Sequence, residues 1–405
     1  MLFRRTRVLA AVSAAVLLLG AAGCAAADPE PTAKPATTEA PDPEPTKNKT
    51  EPTKDASKPE DSDTVHVIAM GDMLPHDSVN QNAQVDGGWD YGQFFTGISS
   101  QLEAADVTFC NQEVPSAGES FGISGYPVFN APVEFAQTLH DPVGCDLVNI
   151  ANNHAADLGP EGIAKTREVW DGLSPSIVAG ANRDAEEQRT VPVFEADGVK
   201  IALVSLAEVS NAPIDGALLN MMSDSALVQD LMQQAREKAD VVLVSAHWGT
   251  EDSHEVNDQQ AAFAQQLADL GADVIIGTGP HVLQPVTWLD RSGGGRTLVW
   301  YSIGNMLNTQ LSIDQLTGVI AGFDLVKGDD GVSVADPTAI FTYMHYDWTP
   351  EQQAANDLAA RKNLSLQPLA TSDELLSRTT FGVTAEQQVE ASTAILGPDV
   401  KVLAE

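Results

Sequence analysis

The sequence predicts an α/β fold in which two sheets pack between helices, and two observations predict it. Apolar β-type runs alternate with amphipathic helical ones along most of the chain, and the strands include both parallel neighbours and antiparallel hairpin partners. Their number and the length of the folded part exceed what one doubly wound sheet takes comfortably.

Val65–Met70 is the first strand. A turn follows, then a helix over Tyr91–Ala104, where Phe94, Phe95, Ile98 and Leu102 recur at helical spacing. Strand Val107–Cys110 leads into a Gly-, Ser- and Pro-rich excursion from Val114 to Pro132. Helix Pro132–Leu139, strand Leu147–Ala151 and helix Gly162–Trp170 come next. Ile177–Ala179 is a short strand, and Val191–Glu195 with Lys200–Leu206 is a hairpin turning at Asp197-Gly198. Helix Asp224–Lys238 leads to strand Val241–Ser245, and helix Asp258–Leu270 ends at Gly271 before strand Asp273–Ile276. Val286–Leu289, Thr297–Tyr301 and an edge pair near Gly318–Leu325 and Ala339–Tyr343 complete the sheets. After Thr349 the chain is polar and reads as a helical C-terminal cap.

In open α/β sheets ligands gather beyond the carboxyl ends of the strands, and here those ends carry metal-ligand residue types. Val65–Met70 runs into Gly71-Asp72, and Val107–Cys110 into Asn111-Gln112-Glu113. Leu147–Ala151 runs into Asn152-Asn153-His154, Val241–Ala246 into His247-Trp248-Gly249, and Val274–Ile276 into a loop ending at His281. Asp72 reads either as a metal ligand or as a turn aspartate capping the next helix. His76, four residues on, reaches the same region or is a surface histidine. Asn111 and Glu113 share a face if their strand continues. Asp157, three residues after His154, is placed to orient its imidazole. Glu251 follows the His247 cluster, Trp248 reads as a packing residue, and Asn305 braces loops. Asp, Glu, Asn and His together suit one or two divalent ions of Mn, Fe, Zn or Mg, which clamp a phosphoryl or carbonyl centre and acidify a bound water. No Gly-x-Ser-x-Gly elbow and no Gly-rich phosphate loop with Lys occurs, so nucleophilic Ser or Cys catalysis has no support.

The ends carry a different kind of information. Arg4, Arg5 and Arg7, the apolar run Val8 to Gly20 and Ala21-Ala22-Gly23-Cys24 read as a lipoprotein signal over residues 1–24, with Cys24 the lipidated N-terminus. Arg4-Arg5 also loosely resembles a twin-arginine signal; the alternative is a plain secretory signal. No other stretch approaches the ~18 to 20 apolar residues of a membrane span. Residues 25–63 are Pro, Thr, Ala, Glu, Lys and Asp, which bury no core and form a disordered stalk. Fully extended at about 3.1 Å per residue it reaches roughly 100 Å from the membrane. Residues 64–348 form the folded domain and 349–405 the C-terminal extension. The net charge of −35 excludes nucleic acid as a partner and repels anionic substrates at long range, an effect a bound cation offsets locally. Cys110 ends one strand and Cys145 precedes the next, opposite ends some ~13 Å apart at ~3.3 Å per residue. That exceeds the ~7 Å bridging limit and predicts two buried free thiols.

Gly71-Asp72-x3-His76-Asp77-Ser78, Asn111-x-Glu113, Ser124-Gly125-Tyr126-Pro127-x-Phe129-Asn130-Ala131-Pro132 and Ala151-Asn152-Asn153-His154-x2-Asp157-x-Gly159 occur in that order. His247-Trp248-Gly249-x-Glu251, Pro280-His281-Val282-x-Gln284-Pro285 and Tyr301-Ser302-x-Gly304-Asn305 follow. Together, over roughly Val65 to Gly318, they resemble the CapA family of capsule (poly-γ-glutamate) synthesis proteins. The resemblance implies a metallophosphatase-like four-layer α/β/β/α sandwich and a membrane-tethered location, which the lipoprotein signal reads as a lipid anchor on the extracytoplasmic face. It implies a part in making, exporting or anchoring capsule polymer, with synthase subunits and an anionic polymer as partners. By similarity to metal-dependent phosphoesterases, Asp72, Glu113, Asn153, His247 and His281 would be metal ligands, and His154 the acid that protonates a leaving group. Two positions depart from the pattern: Leu74 and Gly279 stand where histidines are expected. The function implied is therefore a metal-dependent hydrolase or transferase acting on polymer or lipid-linked intermediates, or alternatively a non-catalytic scaffold with a degenerate metal site.

Overall fold

A computed structural model describes residues 63–404. The expected signal with Cys24, and nearly all of the stalk, lie outside the described residues. In chain order the strands are β1 (Thr64–Met73), a short hairpin β2 (Gln84–Val85) and β3 (Gly88–Trp89), β4 (Val107–Gln112), β5 (Leu147–Asn149) and β6 (Ile177–Ala179). Then come β7 (Val193–Ala196), β8 (Val199–Ala207), β9 (Val241–His247), β10 (Val274–Thr278), β11 (Val286–Asp290) and β12 (Arg296–Trp300). The last are β13 (Asn305–Leu307), β14 (Thr317–Gly328), β15 (Gly331–Asp347), β16 (Lys362–Pro368) and β17 (Lys401–Leu403).

Two sheets result. The larger has the order β16-β15-β14-β1-β4-β5-β6, with β13 beside β1 and β17 beside β15. The smaller has the order β11-β12-β10-β9-β8-β7. Each has a parallel centre, β1-β4-β5-β6 in one and β8-β9-β10-β12 in the other; β14, β15 and β16 continue the first antiparallel, and β11 and β7 flank the second antiparallel. Strand side chains alternate between faces, and β9 shows where each face goes. Val241 and Leu243 join the core shared with β1, β4 and β5, while Val242, Val244 and Ala246 pack against helices Ser225–Lys238 and Asp258–Asp269. The larger sheet is covered by helices Val133–His140 and Gly159–Asp171, whose Phe135, Leu139, Ile163 and Trp170 are buried. The layers are thus α/β/β/α, as expected, and no described helix is long and apolar enough to cross a membrane.

Several elements differ from the sequence expectation. The predicted helix Tyr91–Ala104 is a 3-10 turn over Gly92–Ile98 followed by a short α-helix, Ser99–Glu103. The segment after Thr349, expected to be a helical cap, also supplies β16 and β17 to the larger sheet. β1 does not stop at Met70: it continues through an irregularity at Gly71 as far as Met73. Gly71 is required there, because a Cβ would stand 1.9 Å from the Gly304 carbonyl oxygen.

The cysteines correct the thiol prediction. Cys110 and Cys145 form a disulfide with Cα atoms 5.7 Å apart. In register Cys110 does face Val148, three residues past Cys145. The chain does not approach β5 in a straight line, however. Gly144 is left-handed (φ 82°), and the Cys145 N–H donates to the Leu139 carbonyl at the end of helix Val133–His140 rather than to the sheet. That turn carries Cys145 under β4 and within bridging distance.

Candidate metal centre

The carboxyl ends of β1, β4, β9 and β10 bring Asp72, Glu113, His247 and His281 together, with Asn153 supplied by the loop after β5. Asp72 is fully buried and pinned from three sides. Asn111 Nδ2 donates to Oδ1 at 2.6 Å, and His281 Nδ1 and the Gly279 N–H lie 3.0 and 3.3 Å from Oδ2. Asn111 is itself fixed by Asn149, whose Nδ2 donates to Asn111 Oδ1 at 2.6 Å. Asn111 therefore orients Asp72 and is no separate ligand. His281 sits in the left-handed region (φ 62°), a backbone strain of about 1–3 kcal/mol for a non-glycine residue.

The hydrogen bonds assign the His281 tautomer. Both amide hydrogens of Asn305 are engaged, by Gln310 Oε1 and the Gln315 carbonyl, so Asn305 Oδ1 accepts from His281 Nδ1 at 2.9 Å. In neutral His281 the Nε2 lone pair is then free, and it faces Glu113 Oε1 at 3.8 Å. His247 Nε2 lies 3.7 Å from the same oxygen and 3.0 Å from Asn153 Oδ1, and its Nδ1 meets Thr278 Oγ1 at 3.0 Å. Two atoms about 3 Å apart suit neighbouring ligands of one ion, whose bonds are about 2.0–2.2 Å long.

Glu113 decides whether a cation fits. Its side chain is wholly buried, and neither carboxylate oxygen has a hydrogen-bond partner. A buried carboxylate left bare costs several kcal/mol, and a cation removes that cost. Ligand atoms of Asp72, Glu113 and His281 all lie within 4.8 Å of one another. The donor set, two carboxylates and an imidazole with His247 and Asn153 alongside, fits a divalent ion.

Electrostatics agree. Burial, and then the charge of Asp72, push the Glu113 carboxyl well above the usual range. Burial alone would raise Asp72 as well, but the hydrogen bond and charge of His281 hold it below its ordinary value. Burial opposes a charge on His281, yet Glu113 and Asp72 raise it to about 10. Burial lowers His247 to about 4. The proton on His281 thus supplies the positive charge between two carboxylates. Since a metal must displace that proton, metal affinity is expected to rise with pH through the neutral range. Calorimetry in buffers of different ionisation enthalpy measures the proton released, and pH-independent affinity with no release would contradict this.

The remaining predicted residues surround the group. His154 Nδ1 is 2.8 Å from Asp157 Oδ2, which also accepts the Phe129 N–H, so Asp157 fixes the orientation of the His154 ring. Phe129 packs edge-on against His154 at 4.6 Å between ring centroids. His76 accepts the Thr309 N–H at Nδ1 and stacks edge-on with Phe129. Burial, helped by the charge of Arg361, lowers His76 to about 3, so it is neutral with its proton on Nε2. A folded-state value below the unfolded one means stability falls as pH drops below about 6.5. Urea unfolding from pH 7.5 to 5 is expected to show a shallower loss in His76→Gln than in wild type; equal slopes would contradict it. Glu251 is exposed and touches none of the group, though its charge is felt at Glu113. Leu74 is buried, and its N–H donates to Leu307. Gly279 has φ 104°, and a Cβ there would lie 2.9 Å from the Trp248 carbonyl and 3.1 Å from His247 Nε2. No side chain fits at that position.

Asn211 was not anticipated. Its N–H donates to the Asn153 carbonyl at 2.8 Å, and its side-chain amide lies 3.4 Å from His154 Nε2. It follows β8, whose carboxyl end was hidden because that strand reads as half of a hairpin.

The chain matches the family model of the bacterial capsule synthesis protein PGA_cap over residues 66–310. It belongs to that family. The matched span contains every residue of the centre. The chain is 30% identical over 168 residues to the PGA biosynthesis protein CapA of Bacillus subtilis (strain 168), covering 40% of this chain and 43% of that one. It is 29% identical over 177 residues to the capsule biosynthesis protein CapA of Bacillus anthracis, covering 41% of each. It therefore spans less than half the length of these curated relatives. Among solved structures, a hypothetical protein from Thermus thermophilus aligns over 68% of this chain and 99% of its own, at 18% identity and a TM-score of 0.41. So loose a likeness assigns no chemistry.

Proposed function

We propose that this chain is a lipid-anchored cell-surface protein of capsule or poly-γ-glutamate biosynthesis, with a one-ion metal centre that serves hydrolysis or group transfer on the polymer or its lipid-linked precursors. The observation that carries the metal reading is Glu113, a fully buried carboxylate with both oxygens bare beside Asp72 and His281. Those three would hold the ion, with His247 and Asn153 beside them. When bound, such an ion polarises a carbonyl or phosphoryl oxygen and acidifies a coordinated water. His154, oriented by Asp157, would hold the proton given to a leaving group at Nε2. Asn111 and Asn305 keep Asp72 and His281 in place. One ion rather than two is favoured by Leu74 and by the closed space at Gly279.

The capsule role rests on family membership, and association with synthase subunits goes with it. Export is supported by the Cys110–Cys145 disulfide, a bond that persists in oxidising compartments. Cys24→Ser is expected to release the protein from the membrane fraction, and an unchanged distribution would contradict anchoring at that residue. The chemistry is tested with metal-reconstituted protein, a chromogenic phosphodiester and γ-linked glutamate polymer. Cleavage of either that is lost with chelator and in His154→Ala is expected. Stoichiometric metal without turnover of either would favour the scaffold reading, to which Gly279 and Leu74 lend support.

A further inference from the structure

Arg361 is unusual among the described arginines. Arg167, Arg183, Arg189, Arg236, Arg291 and Arg378 each lie within 4 Å of a carboxylate oxygen, and Arg296 lies over the Trp288 ring. Arg361 is 5% exposed and forms no ion pair at that distance, in a chain whose net charge is −35. Its Nε donates to the Leu358 carbonyl and its Nη1 to the Thr309 carbonyl, and its guanidinium lies 5.5 and 5.9 Å from the Tyr346 and Trp348 ring centroids. Neutral carbonyls and aromatic faces orient a guanidinium but leave its charge uncompensated. Asp77, the carboxylate whose charge it feels, is engaged by the Gly125 N–H at 2.7 Å.

The position of this charge connects it to the centre. Thr309, which receives Arg361 at its carbonyl, donates its N–H to His76, and His76 packs edge-on against Phe129, which in turn packs edge-on against His154. Arg361 thus stands one residue, Thr309, away from His76 at the rim of the centre. The Asp72 and Glu113 carboxylates would offset much of the charge of a divalent ion between them, and the rest of the chain repels an anion at long range, so a fixed cation beside the centre adds to its hold on one. A guanidinium matches the geometry of an oxyanion.

We infer that Arg361 is the anion-recognising residue of this site, binding a carboxylate or phosphate oxyanion of the substrate at the edge of the metal centre. It rests on the proposed metal-dependent function and deepens it. Arg361 lies in the C-terminal segment, outside the span matched by the family model.

Binding of inorganic phosphate and, separately, of a γ-linked glutamate trimer to the metal-reconstituted full chain tests this by calorimetry, with metal content measured on the same samples. The two probes separate a phosphate from a carboxylate source. Wild type is expected to bind one of them, Arg361→Gln to bind it about tenfold more weakly or worse with unchanged metal content, and Arg361→Lys to recover part of the affinity. Arg378→Gln, which removes an arginine already paired with Asp347, is expected to bind like wild type. Equal affinity in wild type and Arg361→Gln, or no binding of either probe by metal-loaded wild type, would overturn the inference. If Arg361→Gln does not fold, Arg361→Lys decides: affinity unchanged from wild type for both probes, despite the loss of the planar fork, counts against it. Wild type that holds no metal, yet binds an anion through Arg361, would sink the metal reading and leave this one standing.

Discussion

Glu113→Gln is expected to stabilise the metal-free protein and to weaken the metal-supplemented one. Without metal the wild-type carboxyl is buried with both oxygens bare, and burial and the charge of Asp72 disfavour its ionised form; a side chain of the same shape that does not ionise removes that penalty. The gain is expected to be about 1–3 kcal/mol. With metal the sign reverses. An ion that binds only the folded state adds about 4 kcal/mol at a thousand times its Kd, and the variant forgoes most of that. Denaturant unfolding with and without metal reads both signs. Destabilisation in both conditions would mean that Glu113 has a structural partner of another kind.

The second large effect is expected at the disulfide. Cys110 and Cys145 are separated by 35 residues, and removing a crosslink that closes such a loop costs about 3–4 kcal/mol in the chain-entropy account. The double variant Cys110→Ser/Cys145→Ser should lose stability by that amount in denaturant titrations. Cys110 precedes Asn111, the residue that orients Asp72, so metal affinity should fall as well. A variant as stable as wild type, or free thiols in the purified protein under non-reducing mass spectrometry, would contradict this.

The fold class and the metal-ligand candidates were legible in the sequence for one physical reason. Parallel strands buried on both faces are nearly continuous apolar runs, so the first polar residues after them mark where the sheet ends and a site begins. Asp72, Glu113, His247 and His281 all stand at such ends. What stayed hidden depends on loops and distant segments. The disulfide was misjudged because a left-handed Gly144 takes Cys145 off the line of its strand. Asn211 follows a strand that reads equally well as half of a hairpin. Arg361 and β16 lie in a polar stretch whose composition suggests helix, and only pairing with β15 shows that it returns to the sheet. Glu251 carries the right residue type but is exposed at the rim, since sequence order does not fix which way a loop side chain points.

Metal stoichiometry most directly tests the central claim that Asp72, Glu113 and His281 form a site for one divalent ion. The full chain would be equilibrated with Mn, Fe, Zn or Mg, freed of unbound metal, and measured by inductively coupled plasma mass spectrometry beside Glu113→Gln and His281→Ala. The prediction is about one ion per wild-type chain with one of these metals, and close to none in either variant. No retained metal in wild type, or the same content in all three proteins, would contradict it.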